Sequence, residues 1–367
     1  MKIALLSYST KPRGGVVHTL ALAEALAAAG EDVTVWSLGR GGDSGFFRPV
    51  DPSVRVRIVP FPDGPPGESV GARVLRSIET LGAAFAATGA GAYDIVHAQD
   101  CISANAVGRC VRTVHHIDHF TTPELAACHE RALVEPYAHV CVSRTVADEL
   151  ADGWSLPARV IANGVAYERF AGTEPAARDR WKNRLGRYVL TVGGIEPRKG
   201  SLDLLEAYGT LRARHPGVKL VIAGGETLFD YRDYRARWEA RAAELGVEPV
   251  VLGAVPDDEL PALVAAADAF AFPSVKEGFG LAAMEALAAG VPLVVRDLPV
   301  LREVFDSAAR FAGTPEELAA ELGRALTEPD PARRAAGREL AARHTWREAA
   351  RLHVELYRSL AGVRGAV

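Results

Sequence analysis

The sequence predicts an α/β protein of two domains, each a parallel sheet covered by helices on both faces. Short apolar runs alternate with Ala- and Leu-rich helical patterns along all 367 residues. Near-continuous apolar strands separated by helices are typical of parallel sheets that are buried on both faces. The thirteen strand candidates are many for one such sheet, and the alternation restarts near residue 187. The pattern therefore predicts two Rossmann-like domains.

The elements follow one another in a regular order along the chain. The first half carries strand candidates at 2–8, 32–37, 55–61, 94–99, 111–117, 139–143 and 158–162. The second half carries them at 187–192, 218–223, 250–255, 269–273, 292–296 and 309–312. Helical patterns lie between most of them, including 16–29, 122–136, 201–215, 229–245, 257–266 and 279–289, and a terminal helix covers 345–360.

Residues 166–186 contain no apolar strand run and are interpreted as the link between the domains. The predicted domains are therefore residues 1–168 and 169–344. Ligands of open α/β sheets bind outside the carboxyl ends of the strands, so we expect a ligand to lie between the two domains.

Composition disfavours several classes of function. A net charge of −4 gives no electrostatic reason to expect nucleic-acid binding. Residues 1–165 contain 14 Lys and Arg against 17 Asp and Glu, which disfavours docking on an anionic membrane. The chain begins as a strand rather than a signal peptide, and no apolar run approaches the roughly 20 residues of a membrane span. We therefore expect a cytoplasmic protein, with no prediction of its oligomeric state.

The cysteines and histidines are concentrated in one region. All four cysteines and six of the ten histidines lie between His97 and Cys141. This density permits a metal hypothesis, but the spacings fit no closed zinc pattern. We expect reduced, buried cysteines and no metal site.

The most informative segment runs from Phe272 to Glu285, after the apolar run at 269–272. Glu277 and Glu285 lie eight residues apart around the predicted start of a helix, so both can face one side. The backbone amides of Phe279, Gly280 and Leu281 would be first-turn donors pointing into the same space, next to Gly278. Amides suit phosphates and carboxylates suit sugar hydroxyls, so the segment fits a sugar diphosphate.

A second segment follows the strand candidate at 187–192. Gly193 and Gly194 precede Glu-Pro-Arg-Lys-Gly, and a helix is predicted to begin with a cap near Ser201. Arg198 and Lys199 at the carboxyl end of a strand can neutralise a diphosphate, the arginine bidentately and the lysine as a point charge. The competing interpretation is a solvated basic turn.

Three weaker patterns also sit at strand ends. Gly14 and Gly15 precede the first helix, and Gly224 follows the strand at 218–223, so backbone could approach a phosphate there. The backbone around Val255 could read the edge of a base. Each could equally be a tight strand-to-helix turn without a ligand.

His115, His116 and His119 cluster at another strand end, where sites occur in α/β folds. One of the three could touch substrate, and the competing interpretation is that they are structural residues. The chain has no G-x-G-x-x-G dinucleotide fingerprint and no Asp-x-Asp. The first absence disfavours a dehydrogenase, and the second argues against a metal-held diphosphate.

Taken in order, these segments resemble a retaining glycosyltransferase of the GT-B fold, family 4, over essentially the whole chain. The resemblance rests on a set of motifs in sequence order: Gly14-Gly15, Thr113-Val114-His115, Val142-Ser143, Asn163-Gly164-Val165, Gly193 through Gly200, Ala223-Gly224-Gly225, and Pro273-Ser274 leading to Glu277 and Glu285. It implies two domains facing across a cleft, with the C-terminal helix (345–367) packing back on the first.

The resemblance also implies roles for residues. Glu277 would contact donor-sugar hydroxyls and Glu285 the nucleotide ribose. Arg198 and Lys199 would hold the diphosphate, helped by amides at Gly15 and after Gly280, and His115 would approach the reacting carbon. The donor would bind mainly to the second domain and the acceptor to the first.

The implied reaction is metal-independent transfer of a hexosyl unit from a nucleoside-diphosphate sugar, UDP- or GDP-linked, to an acceptor hydroxyl, with no cofactor. Two departures weaken the detailed mapping: Gly194 stands where the family commonly has arginine, and His116 where it often has aspartate. The alternatives are a nucleotide-sugar epimerase or hydrolase of the same fold and a catalytically silent sugar-nucleotide-binding protein.

Overall fold

The computed structural model describes residues 1–88, 90–118, 120, 122–225 and 231–364. Two compact units make up this chain. Unit 1 comprises Met1–Gly164 with the C-terminal helix, and unit 2 comprises Val165–Thr345. The predicted boundary after residue 168 instead falls inside a short helix, Tyr167–Ala171, that belongs to unit 2.

Unit 1 alternates strands and helices as predicted. Its elements are β1 (Lys2–Leu6), α1 (Gly14–Ala28), β2 (Asp32–Arg40), β3 (Arg55–Phe61), α2 (Val70–Ala87), β4 (Ile95–Ala98), α3 (Cys101–Val107), β5 (Val111–Val114), α4 (Pro123–Val134), β6 (Ala138–Cys141), α5 (Arg144–Trp154), β7 (Arg159–Val160) and α15 (Trp346–Arg364). A 3-10 turn lies at Ala90–Ala92.

Unit 2 repeats the alternation. Its elements are α6 (Tyr167–Ala171), α7 (Pro175–Leu185), β8 (Arg187–Val192), α8 (Ser201–Arg214), β9 (Val218–Ala223), α9 (Arg232–Glu244), β10 (Val250–Gly253), α10 (Leu260–Ala265), β11 (Ala269–Phe272), α11 (Leu281–Ala288), β12 (Leu293–Arg296), α12 (Pro299–Phe305), β13 (Arg310–Ala312), α13 (Pro315–Thr327) and α14 (Pro331–Arg343). Two 3-10 turns lie at Pro197–Lys199 and Asp306–Ala308.

Both sheets are parallel throughout their described pairings. The order in unit 1 is β3-β2-β1-β4-β5-β6-β7, and in unit 2 it is β10-β9-β8-β11-β12-β13. Each order reverses once, between β1 and β4 and between β8 and β11. Ligands of open α/β sheets bind at such switch points, outside the carboxyl ends of the strands. The predicted α/β class with two Rossmann-like domains is confirmed.

The core of unit 1 forms where the sheet packs against α1 and α15. Ile3, Leu5 and Leu20 are fully buried there, together with Tyr357 of α15. The Tyr357 hydroxyl lies 2.6 Å from His97 Nδ1 on β4, so a buried polar contact also fixes α15 to the sheet. The C-terminal helix thus packs on the first domain, as the resemblance implies.

The core of unit 2 lies between its sheet and the helices α8 and α13. Leu205, Leu220 and Leu322 are buried there together with Trp238 of α9, whose indole N–H donates to the Ser201 carbonyl. Among the described helices, none is long and apolar enough to cross a membrane.

Three local expectations differ from the structure. Gly14 and Gly15 are the first residues of α1 rather than a loop before it, with Arg13 as the N-cap. Ser201 is the first residue of α8, and the cap is Gly200 in the left-handed region at φ +63°. The predicted link at 166–186 is helical, because Phe170, Trp181 and Leu185 bury apolar side chains at α6 and α7.

Candidate active site

The loops after β8 and β11 come together at the switch point of unit 2. The backbone N–H of Val275 donates to the Arg198 carbonyl over 2.9 Å, which ties the two loops to each other. Lys199 Nζ contacts Glu277 Oε1, and Arg198 Nη1 lies 3.1 Å from the same oxygen. The predicted phosphate-binding cations and the predicted sugar-binding carboxylate therefore form one ion cluster.

Glycines allow this close approach. A Cβ on Gly200 would lie 2.2 Å from the Pro273 carbonyl oxygen, so only glycine fits. Gly193 adopts φ +150°, and a Cβ there would lie 3.4 Å from the Lys199 side chain. Gly193 thus lies against the lysine and gives it room beside the backbone.

The cluster is largely withdrawn from solvent. The Glu277 side chain is 11% exposed and that of Lys199 is 20% exposed. Burial lowers the pKa of Lys199, although Glu277 opposes that shift. Arg198 Nη2 also lies 3.4 Å from Glu196 Oε1, so a second carboxylate holds the guanidinium. Two cations and two carboxylates thus fix one another's positions.

The N-terminus of α11 borders the same loop. Gly280 is its N-cap at φ +96°, with no side-chain cap, and a Cβ there would lie 3.1 Å from the Phe305 ring. Leu281 begins the helix, and the preceding Gly278 and Phe279 are buried. Because first-turn amides have no intrahelical acceptor, this end of α11 can bind an anion.

Glu285 lies one turn into α11 and is partly buried. Burial raises the pKa of its carboxyl to about 7, Arg169 opposes the shift and Asp257 adds to it. Arg169 Nη2 is itself paired with Asp257 Oδ2 at 2.8 Å. Glu285 is therefore a carboxyl group poised between protonated and ionised forms near neutral pH.

Gly224 and Val255 occupy neighbouring strand ends. A Cβ on Gly224 would lie 2.2 Å from the Gly193 carbonyl carbon, so this glycine is required by backbone packing. Its N–H donates to the Gly253 carbonyl over 2.8 Å. Val255 is half-buried and follows β10, which ends two residues earlier than the predicted strand because Gly253 turns the chain at φ +70°.

In unit 1, His115 follows β5 directly and lies beside the start of α1. A Cβ on Gly15 would lie 3.7 Å from His115 Nε2, whereas one on Gly14 would meet nothing within 4 Å. Burial lowers the pKa of His115 well below its ordinary value, with His18 as the next cause, so the ring is neutral. The ring centres of His18 and His115 are 4.8 Å apart, and His18 Nδ1 lies 2.8 Å from Asn163 Oδ1.

The other histidines of this strand end are separate from that contact. His116 Nε2 lies 3.2 Å from Asp118 Oδ2. His119 lies outside the described residues. The four cysteines are free, and among the described residues no three His, Cys, Asp or Glu side chains are grouped to hold a metal ion.

Two family models cover most of the chain. Residues 176–351 match the model described as "Glycosyl transferases group 1", and residues 12–169 match that described as "Glycosyltransferase Family 4". The chain belongs to the group 1 glycosyltransferases. The predicted family resemblance is thereby confirmed, and the chain is an enzyme that transfers a glycosyl group.

Individual proteins agree with this assignment. D-inositol 3-phosphate glycosyltransferase of Salinispora tropica is 30% identical over 400 aligned positions, covering 94% of this chain and 81% of that enzyme. The solved sucrose-phosphate synthase of Thermosynechococcus elongatus has a TM-score of 0.78 at 21% identity, with 99% of each chain covered. An Anabaena protein solved with UDP-glucose has a TM-score of 0.73 at 20% identity, covering 98% of this chain and 100% of that one. These structural neighbours show the GT-B fold.

Within each unit, the structure places beside the predicted site residues others that the sequence patterns did not single out. Glu196 has no predicted role within the Glu-Pro-Arg-Lys-Gly segment, yet it is buried and contacts Arg198. Arg169 and Asp257 meet near Glu285 although 88 residues separate them, and no local pattern signals such a pair. His18 could have been found, since it lies one helical turn after Gly14 and Gly15 on α1.

Proposed function

We propose that this glycosyltransferase uses a nucleoside-diphosphate sugar, requires no metal ion, and transfers a hexosyl unit with retention of configuration. The observation that carries the proposal is the cluster of Arg198, Lys199 and Glu277 beside the start of α11. Cations and helix-terminal amides can together stabilise a departing diphosphate. The Anabaena neighbour solved with UDP-glucose supports a donor of this class.

In this proposal Glu277 changes partner when the donor binds. Its carboxylate holds Lys199 and Arg198 in place. The diphosphate would pair with these two cations in place of Glu277. Glu277 would then accept hydrogen bonds from sugar hydroxyls. Glu285 would accept from the ribose, which requires its ionised form, and the base would lie near the backbone at Val255.

The proposed chemistry is a same-face displacement. The acceptor oxygen bonds to the anomeric carbon as the bond from that carbon to the diphosphate oxygen breaks, and the departing phosphate takes the acceptor proton. Glu277 positions the sugar and accepts no proton. The roles implied for Gly15 and His115 of unit 1 stay predictions.

The first test is a thermal-shift panel of UDP, GDP, ADP and dTDP. In the second, the enzyme is incubated with sugar acceptors and the glucose or mannose conjugate of the nucleotide that stabilises it. A ligand at 100 times its Kd adds about 2.7 kcal/mol of stability, so the correct nucleotide should raise the Tm clearly. NMR of the product should show the donor's anomeric configuration, with the same rate in EDTA. No thermal shift with any nucleotide would contradict the nucleotide-sugar donor. An inverted product would contradict retention of configuration, and loss of activity in EDTA would contradict metal independence.

A further inference from the structure

One arginine of unit 2 connects three elements at the carboxyl edge of the sheet. Arg296 is the last residue of β12, and its side chain is 11% exposed. Its Nε donates to the Pro273 carbonyl over 3.2 Å, and its Nη1 donates to the Gly313 carbonyl over 3.0 Å. Its Nη2 contacts Asp203 Oδ2 in the first turn of α8. The guanidinium therefore joins the residues that follow β11 and β13 to the start of a helix.

The register of the sheet explains why this arginine reaches both neighbouring segments. The pairing of β11 with β12 runs up to Phe272 and Val295. Pro273 and Arg296 are the next residues along these two segments, and Arg296 pairs on its other side with Ala312, the last residue of β13. The planar fork of an arginine has five N–H donors in a fixed geometry, whereas a lysine has one ammonium group on a flexible stem. Only an arginine can therefore hold both strand ends from this position.

The Pro273 carbonyl lies against both Arg296 and the start of α8. A Cβ on Gly200, the N-cap of α8, would lie 2.2 Å from the Pro273 oxygen and 3.3 Å from Arg296 Nη2. Lys199 directly precedes this glycine, and Glu277 lies four residues after Pro273. The backbone that packs around Arg296 therefore carries the two side chains that contact each other in the ion cluster.

The contacts inside the ion cluster join the loops after β8 and β11 to each other. The Val275 N–H donates to the Arg198 carbonyl, and Lys199 contacts Glu277. Arg296 adds contacts from a third strand, since β12 lies between β11 and β13 in the sheet. A buried side chain that is hydrogen-bonded through several atoms holds its neighbours in place. Arg296 therefore fixes this pair of loops relative to the strands of the sheet.

A purely structural role of these contacts would differ in its consequences from a role in positioning the loops. Replacement of Arg296 removes a donor from two carbonyls and a partner from Asp203, so the stability of unit 2 should fall in either case. Well below the unfolding temperature, lower stability alone does not weaken the binding of ligands to the folded enzyme. A displacement of the loops acts instead on the ligand groups that lie against them. In the proposed donor complex these groups are the phosphates, whereas the ribose lies at Glu285 and the base near Val255.

We propose that Arg296 is a positioning residue for the donor diphosphate. It fixes the loops after β8 and β11 so that Lys199 and Glu277 keep the separation that a diphosphate sugar needs. The inference rests on the proposed function, because it names a residue that acts on the proposed donor site without touching the donor. A misplacement of about 1 Å in groups that bind a reacting ligand can lower the rate roughly a hundredfold, so a residue that sets this separation affects both binding and rate.

The test compares Arg296→Lys with Arg302→Lys, a matched control on α12. The Arg302 side chain is 57% exposed, and within the part of the chain that the structure describes both of its hydrogen bonds go to Asp297. The probes are UDP and UMP, or the corresponding pair for the nucleotide that stabilises the wild-type enzyme, titrated by calorimetry well below the Tm of each variant. Arg296→Lys should weaken binding of the diphosphate roughly fivefold or more and that of the monophosphate less than about twofold, because lysine cannot hold both loops. Arg302→Lys should keep both affinities.

Asp203→Asn is a second variant, which leaves the bonds from Arg296 to the two carbonyls in place. It should lower the ratio of diphosphate to monophosphate affinity in the same direction, by less than Arg296→Lys does. Equal weakening of both probes in Arg296→Lys, or an unchanged ratio, would overturn the inference. If Arg296→Lys does not fold, an unchanged ratio in Asp203→Asn overturns it. Failure of the wild-type enzyme to bind any nucleotide would refute the donor proposal, and this inference with it, whereas normal wild-type binding with an unchanged ratio in the variants refutes this inference alone.

Discussion

At the scale of single residues, Glu277 is the side chain on which the donor site depends. One carboxylate oxygen contacts both Lys199 and Arg198, so its removal would leave two partly buried cations without that partner. A hydrogen bond to a charged group contributes about 1.5–3 kcal/mol. Glu277→Gln, which keeps the shape of the side chain, should therefore lower kcat roughly tenfold to a hundredfold, as steady-state kinetics would measure.

The matched control is Glu248→Gln, an exposed residue of the same unit. Urea unfolding should show that both variants remain folded, so that a loss in Glu277→Gln reports on the site. Near wild-type kcat in a folded Glu277→Gln enzyme would remove Glu277 from the mechanism we propose.

The sequence predicted part of this residue-scale arrangement. Arg198 and Glu277 both follow apolar strands, and the carboxyl ends of neighbouring parallel strands share one edge of the sheet. The shared oxygen of Glu277 could not be predicted, because it depends on the fit between two loops. The neighbourhood of Glu285, with Arg169 and Asp257, is equally a product of packing between distant segments.

At the scale of elements, the packing of strand ends sets which glycines are indispensable. Gly224→Ala would put a methyl group 2.2 Å from the Gly193 carbonyl carbon and push the loops after β8 and β9 apart. Overpacking of this kind costs about 1–3 kcal/mol. We expect a lower urea midpoint and, because Gly193 lies against Lys199, weaker nucleotide binding by calorimetry.

The adjacent residue supplies the control for this change. A Cβ on Gly225 would meet only the Ala254 Cβ at 3.5 Å, which is an ordinary contact. Gly225→Ala should therefore keep wild-type stability and nucleotide affinity. If the two variants behaved alike, the close backbone approach at Gly224 would not be the cause.

Apolar runs predicted the strands well because a parallel strand that is buried on both faces has an uninterrupted run of apolar residues. The ends of helices were less predictable. Gly14 and Gly15 resemble a loop in isolation, yet they are the first two residues of α1, and Gly200 rather than Ser201 caps α8. The residue at which a helix begins depends on contacts with segments distant in sequence. At Gly200, for example, the Pro273 carbonyl leaves room only for glycine.

At the scale of the whole molecule, the two units contain buried titratable groups that change the free energy of unfolding with pH in opposite directions. In unit 1, burial lowers the pKa of His18 to about 3 and of His353 to about 4, and lowers those of His97 and His115 well below their ordinary value. In unit 2, burial raises the pKa of Glu285 to about 7. The units should therefore differ in how their stability depends on pH.

The sign follows from which state binds more protons. Below about pH 6.5 the histidines of unit 1 bind protons in the unfolded state but stay neutral in the folded state. The free energy of unfolding therefore falls by up to about 1.4 kcal/mol per pH unit for each histidine. Burial raises the pKa of Asp100, so this carboxyl group partly opposes the loss of stability at low pH. Glu285 contributes stability that is fully present below its ordinary pKa and is lost as the pH rises to about 7.

Between pH 7 and pH 5, unit 1 should thus become less stable while the region around Glu285 becomes more stable. Hydrogen exchange with mass spectrometric detection, corrected for the intrinsic rate at each pH, can follow peptides from β4 and β5 and from α11 separately. Glu285→Gln should abolish the gain in α11 without changing unit 1, and His353→Gln should reduce the loss in unit 1 only. A common response of both regions to pH would contradict this assignment, because buried neutral histidines and a buried carboxyl group shift proton uptake on unfolding in opposite directions.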